Sequence, residues 1–241
     1  MVTEHTVRSF DDELKGLAAN LTELGTLAEG LFADAVSALL HGDAELAMRV
    51  ISQDKKIDAL DAQVEEEAIQ IIARRQPMAI DLREIVGAIR IAGDLERIGD
   101  LGKNIAKRAT ALGSERPPHD LSISIETMSE LARGQLRQVL SAYAERDSQR
   151  ALDIREKDVE LDELHTAFFR KSIDHIANNY SDATSLAHLL FCAKNIERVG
   201  DHVTNISENV YFIATGITPE EERRKHDTSS TLNPSLSGGS A

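Results

Sequence analysis

Cysteine occurs once in the 241 residues, tryptophan not at all, and aromatic residues make up only 4%. A lone Cys192 excludes an intramolecular disulfide and fits a reducing compartment. Its setting, "LAHLLFCAKNI", is apolar, which suits a buried structural thiol rather than a nucleophile. Positive charge is also short. Lys and Arg number 27 against 41 Asp and Glu, a net −14 that argues against direct nucleic-acid binding, because phosphates would be repelled. It leaves metal cations and basic partner surfaces open, beside the plainer reading of a solvated acidic exterior. No run approaches the ~18 uncharged apolar residues of a membrane span, and "MVTEHTVRSFDDEL" lacks an apolar signal core. The expectation is a soluble, cytoplasmic protein. Several chemical signatures are missing too: a Walker A loop, a dinucleotide glycine fingerprint and a Gly-x-Ser-x-Gly elbow.

Alternating strand patterns are absent as well, and helical periodicity runs almost throughout. Breaks near 41–43, 76–78, 114–120, 145–147 and 178–184 predict six helices, roughly 6–40, 43–75, 80–112, 120–145, 147–177 and 183–215. Helices of about 30 residues would be roughly 45 Å long, and their short connections imply antiparallel neighbours. The breaks expose a duplication. Shifting "HGDAELAMRVISQDKKIDAL" by 104 positions lays Asp43, Asp54 and Asp58 on Asp147, Asp158 and Asp162. A shift of 101 lays "DLERIGD" on "NIERVGD", so the second copy is three residues shorter around its 178–184 turn. A self-similarity of this length carries more architectural weight than any local propensity.

The predicted fold is all-α: two tandem, sequence-related three-helix bundles of long antiparallel helices. The first spans residues 1–113 and the second 120–216, joined by a loop at 114–119. Residues 217–241 follow as a short helix and a disordered tail. Thr218, Pro219 and Glu221 suit the start of that helix as a capping box with proline at its first position, and the small, polar remainder suits disorder.

Carboxylates stand where apolar residues are expected. At about 100° per residue, Glu96 and Asp100 fall within about 20° of the centre of the stripe Leu82, Ile85, Val86, Ile89 and Ala92. Glu197 and Asp201 interrupt the corresponding stripe of Leu186, Leu190 and Ala193. Ile98, Ile105 and Ala109 lie on the far side, as do Val199, Ile206 and Val210, as if each helix were covered along much of its length. The second helix sets Asp54 and Asp61 inside its apolar arc with Asp58 at the edge, and the fifth sets Asp158 and His165 there with Asp162 at the edge.

An uncompensated buried carboxylate costs several kcal/mol, against about 5–15 kcal/mol for a whole domain. Such groups must be paired, hydrated or metal-bound. Ion pairing would draw on Arg90, Arg97, Lys103, Arg198 or Lys194; a shallow, wet bundle is the second alternative. If metal binds, all-oxygen donors suit Mg, Mn or Fe better than structural Zn. A ferritin-like redox site would want Glu-x-x-His motifs, and Asp162-x-x-His165 is the nearest approach. Of the scattered histidines, His188 is placed in or beside the apolar stripe and His202 could extend a metal site or cap a surface. Tyr211 and Phe212 read as packing residues.

Two in-register copies of E-R-[IV]-G-D, each followed by a matching asparagine (Asn104, Asn205), within a long duplication resemble the PhoU family over residues 6–216. The resemblance implies two three-helix bundles bearing the motif at Glu96/Asp100 and Glu197/Asp201. It also implies cation clusters (Fe, Mn, Mg or Zn) in some members, with Asp54/Asp58 and Asp158/Asp162 as acidic positions on the facing helices. The sequence departs from a perfect repeat at Asn195, opposite Asp94, and at His165, opposite Asp61, so the two sites are expected to differ in charge and affinity. The implied role is negative regulation rather than catalysis, between the ATPase of a phosphate ABC transporter and a phosphate-sensing histidine kinase. Membrane contact would then be peripheral, through partners, with a homodimer possible. A metal-dependent enzyme or metal-storage bundle is the alternative from another class.

Overall fold

The computed structural model describes residues 2–114, 116–178 and 183–219 together with Asp227 and Ser229, with side chains from Ser9 onward. Every regular element among them is a helix: α1 (Val2–His41), α2 (Ala44–Arg75), α3 (Ile80–Leu112), α4 (His119–Glu145), α5 (Ser148–Glu156), α6 (Asp158–Asn178) and α7 (Ala183–Thr215). No helix among the described residues is long and apolar enough to cross a membrane. Ile217–Pro219 carry no helix; the rest of the expected terminal helix and tail lies outside the described residues, apart from Asp227 and Ser229.

Local chemistry explains the breaks. Gly42, with φ of +65°, ends α1 in the left-handed region where a Cβ is costly. Asp43 then caps α2 by accepting the Leu46 amide proton at 2.9 Å. One repeat later the same turn recurs with Arg146 at φ +54° and Asp147 capping through the Arg150 amide at 3.0 Å. The duplicated aspartates at 43 and 147 are therefore helix caps.

The expected fifth helix differs: it divides at Lys157 into α5 and α6. The Lys157 carbonyl accepts a proton from the buried Gln135 amide of α4 at 3.2 Å and another from the Glu160 amide at 3.1 Å. A side chain inserted into the backbone ladder breaks it there. The 104-residue shift lays Gln135 on Leu31, which cannot donate, and α2 runs on unbroken from Ala44 to Arg75.

α1, α2 and α3 pack together, and α4, α5 and α6 pack around α7. The triplets join where α3 meets α7 and α1 meets α4, and one continuous core runs through both. α3 and α7 cross this junction antiparallel, since Arg90 stacks over Phe212 while Arg108 reaches Phe191. Each is covered on several sides, which accounts for the apolar residues on opposite faces: Ile98, Ile105, Val199 and Ile206 are all 0% exposed. Arg133 and Arg137 of α4 both reach Glu29 of α1, at 2.6 and 2.8 Å, tying the outer edge of the junction.

The glycine inside each motif is the point of closest approach. A Cβ on Gly99 would collide with Cδ1 of Ile57 in α2, and one on Gly200 would collide with Oδ1 of Asp158 and Cδ2 of Leu161 in α6. Gly134, by contrast, has open space. Alanine is the better helix former by about 1 kcal/mol, so Gly134→Ala should stabilise by up to that amount. Gly99→Ala and Gly200→Ala should instead destabilise by about 1–3 kcal/mol through overpacking. Urea-denaturation midpoints of the three variants would decide it; equal shifts in all three would contradict the close packing.

Candidate functional site

The α2–α3 seam carries the first cluster. Asp54, on α2, is only 4% exposed. Lys103 on α3 donates to it and also to Asp100 at 2.9 Å, so one ammonium bridges carboxylates from two helices. The other Asp54 oxygen, Oδ1, is buried and accepts no hydrogen bond from a described residue. Arg97 lies 3.4 Å from Glu96 and 3.6 Å from Asp100. Burial raises the Glu96 pKa above the usual carboxylate range, and Asp100, Asp61 and Asp58 raise it further against the opposing pull of Arg97. The Asp61 carboxyl is pushed up in the same way, by burial and then by Glu65 and Asp58. Lys103 is held firmly protonated by its two carboxylates.

The α6–α7 seam carries the second, and it lies deeper. Asp158, Asp162, His165 and Glu197 are all 3% exposed or less. Of their first-repeat counterparts only Asp54 is buried; Asp58 is exposed, and Asp61 and Glu96 are half-buried. The cation comes from a different position: Lys194, three residues before Glu197, meets it at 2.8 Å. The same ammonium reaches Asp227 at 3.0 Å. Asp227 also faces His165 Nδ1 at 3.3 Å and accepts the Ser229 amide proton at 2.9 Å. Burial would raise the Asp227 carboxyl, but Ser229, Lys194 and His165 together hold it well below the usual range. Burial raises the Glu197 pKa, with Asp201 adding to it and Lys194 opposing. It lowers that of His165, so the imidazole is neutral near neutral pH.

Between the clusters the two central helices are cross-linked. His202 Nδ1 of α7 meets Asp94 of α3 at 2.9 Å, and the Asn205 amide donates to the same oxygen at 3.1 Å. An open groove of about 780 Å³ follows this junction, lined among others by Asp61, Arg90, Glu96, Arg97, Glu208 and Phe212. The departure at 94/195 thus has a structural use: the aspartate stands only on the side where a histidine and an asparagine reach across.

The structure places Asp54, Glu96 and Asp100 at one seam and Asp158, Asp162, Glu197 and Asp201 at the other; Asp58 stands exposed on α2, near enough to act on Glu96 and Asp61. Among the described residues no group of three or more His, Cys, Asp or Glu is arranged as a ready metal-ligand set. A lysine ammonium supplies the positive charge at Asp54/Asp100 and at Glu197. Both lysines are among the ion-pairing candidates read from the sequence; Asp100 and Glu197 are their i,i+3 neighbours on the same helix, whereas Asp54 and Asp227 are brought to them only by the tertiary fold. The role of Asp227 has no signal in the periodicity, because it lies in the polar C-terminal segment. Cys192 is fully buried, its thiol pushed up to about 12, the structural role expected.

Two consequences are measurable. Lys103→Met strands Asp54 without a cation and should cost about 3 kcal/mol, recovered largely by adding Asp54→Asn. Chemical denaturation of the single and double variants reads this, and an undisturbed single variant would mean that water reaches Asp54. For Glu197 the sign follows from its raised pKa. The unfolded chain ionises near its ordinary value of 4.5, the folded chain higher, so stability is lost as pH rises through that window. Glu197→Gln should therefore raise the melting temperature by about 2–4 °C near neutrality, for about 1 kcal/mol. The gain should vanish as pH falls towards 4.5. A lower melting temperature at neutral pH would mean that the Lys194 contact outweighs the burial cost.

Comparison with known proteins bears on both repeats. The family model described as PhoU domain matches twice, at residues 21–109 and 125–210, one match on each triplet. The phosphate-specific transport system accessory protein PhoU homolog of Rhizobium meliloti is 50% identical over 228 residues, 95% of this chain and 96% of the relative. The crystal structure of PhoU from Pseudomonas aeruginosa superposes with a TM-score of 0.82 at 30% identity, covering 86% of this chain and all of that one. That of the phosphate transport system regulatory protein PhoU from Streptococcus pneumoniae gives 0.81 at 25% identity, covering 88% of this chain and 100% of its own. The chain belongs to the PhoU family.

Proposed function

We propose that this protein is a negative regulator of phosphate uptake and phosphate-starvation signalling. It would act between the ATPase of a phosphate ABC transporter and a phosphate-sensing histidine kinase. The observation that carries the reading is the 50% identity, along almost the whole of both chains, to an accessory protein of a phosphate-specific transport system. It supports a role in regulating such a transport system. Asp54 and Asp100 are paired with Lys103 and Glu197 with Lys194, and the neutral His165 faces Asp227. Regulation by binding fits that chemistry better than turnover.

The motifs are also proposed to bind cations such as Fe, Mn, Mg or Zn. The donor set is compatible at the first seam, where Asp54, Glu96 and Asp100 present only oxygen and Asp54 Oδ1 is a buried acceptor without a hydrogen bond from a described residue. A cation there would take the place of the Lys103 ammonium, which already bridges the two aspartates as a positive charge. Once bound, it would neutralise these carboxylates and release Lys103 towards solvent. Glu197, Asp201, Asp158 and Asp162 would serve the second seam, where Asp158, Asp162 and Glu197 are buried and Lys194 pairs with Glu197 and Asp227, so the first seam should load at lower metal concentration.

Elemental analysis after Mn²⁺ or Fe²⁺ incubation tests the metal reading: the parent should carry metal and Glu96→Gln/Asp100→Asn should lose most of it. Metal-free parent protein would leave the carboxylates in their ion-paired role. The regulatory reading has a separate test, a phosphate-starvation reporter in phosphate-replete cells lacking the gene. Expression should be high there and fall on complementation; a reporter that stays silent without the gene would sink the reading.

A further inference from the structure

Asp227 stands apart from the other acids of the two clusters, because it lies beyond the last helix. It follows the end of α7 at Thr215, yet it meets Lys194 in the first half of that helix. Its side chain is only 12% exposed. Three side chains from two helices converge on it: the Lys194 ammonium of α7 at 3.0 Å, and from α6 the Thr166 hydroxyl at 3.5 Å and His165 Nδ1 at 3.3 Å. The Ser229 amide donates to the same carboxylate at 2.9 Å, which fixes the acid's own orientation. In a chain of net charge −14, a carboxylate drawn out of water needs such a set of donors to stay in place.

The duplication shows that this set is peculiar to the second repeat. The 104-residue shift lays His165 on Asp61 and Thr166 on Ala62, and the 101-residue shift lays Lys194 on Gly93. A carboxylate brought to the same place in the first repeat would face an acid, a methyl group and a glycine. All three positions differ, and each differs towards a group that favours a carboxylate. Pairing with Glu197 is enough to account for Lys194. It does not account for a buried imidazole and a buried hydroxyl that face one acid from outside the helices.

We propose that Lys194, His165 and Thr166 form a carboxylate-binding site of the second repeat, and that Asp227 is its resident ligand. The contact is autoinhibitory, since an acidic group from outside the chain gains these donors only by displacing Asp227. Tethering makes the resident hard to displace. A group on the same chain competes at an effective concentration on the order of millimolar, so one carboxylate of modest intrinsic affinity holds the site.

The experiment titrates a synthetic peptide of residues 219–235 into the isotope-labelled full chain, into Asp227→Ala and into Asp227→Lys. Nuclear magnetic resonance follows the backbone amides of His165, Thr166 and Lys194 up to several millimolar peptide, and thermal melts check the fold of each variant. The peptide should bind Asp227→Ala at least tenfold more tightly than the parent, whose site is already filled. A peptide that itself carries Asp227→Ala should bind that variant at least tenfold more weakly. Equal affinity for parent and variant overturns the contact within the chain. Equal affinity of the two peptides overturns the carboxylate site. A variant that takes no peptide at millimolar concentration also overturns the inference, because such a ligand could not hold the site at its effective concentration. Asp227→Lys, repelled by Lys194, empties the site by charge. Should Asp227→Ala melt early, the same tenfold gain over the parent is required of Asp227→Lys.

Discussion

A carboxylate carried into a helix seam needs compensation for the water it loses. Several kcal/mol per unpaired buried charge is a large share of a domain's margin, and this protein takes carboxylates into two seams. Asp54 sits against α3 and Glu197 in the α6–α7 seam, both nearly solvent-free. Lys103 answers the first and Lys194 the second, each bridging two acids rather than one. The motif glycines make the arrangement possible: Gly99 lets α2 come close enough to α3 for Asp54 and Asp100 to share Lys103, and Gly200 lets Asp158 of α6 lie against α7. Close packing and charge compensation are here one constraint.

The repeats meet that constraint differently. The first cluster is shallow and bridged by a lysine that follows its motif. The second is deeper, bridged by a lysine that precedes its motif and shares that charge with Asp227. The bend at Lys157 belongs to the same divergence: Gln135 replaces the apolar residue of the first repeat and draws a carbonyl out of the helix ladder. The shared pattern is a backbone and a set of acidic positions; each copy has its own electrostatic solution.

Much of the fold is legible in the sequence because helices announce themselves locally. The periodicity of Ile85, Ile89 and Ala92, the caps at Asp43 and Asp147, and the glycine at 42 depend on neighbours within a turn or two. The all-helical architecture and the duplication follow from such signals. The division at Lys157 does not, since its cause is a side chain 22 positions away on another helix. The acidic positions are legible as anomalies in an apolar stripe, whereas their partners are not: charge pairing across a seam depends on which residues face each other at the crossing.

By itself, then, the sequence determined the helices, their order, the two-fold repetition and the presence of carboxylates on inward faces. Each of these is encoded in spacing along one helix. Only the tertiary structure decided that Lys103 takes Asp54, that Lys194 reaches Asp227, that His202 crosses to Asp94, and that Arg108 lies over an exposed Phe191. Those pairings join residues as many as 108 positions apart. No period along the chain encodes them, because they are set by the antiparallel register of α3 on α7 and the depth to which each neighbouring helix sinks against a glycine.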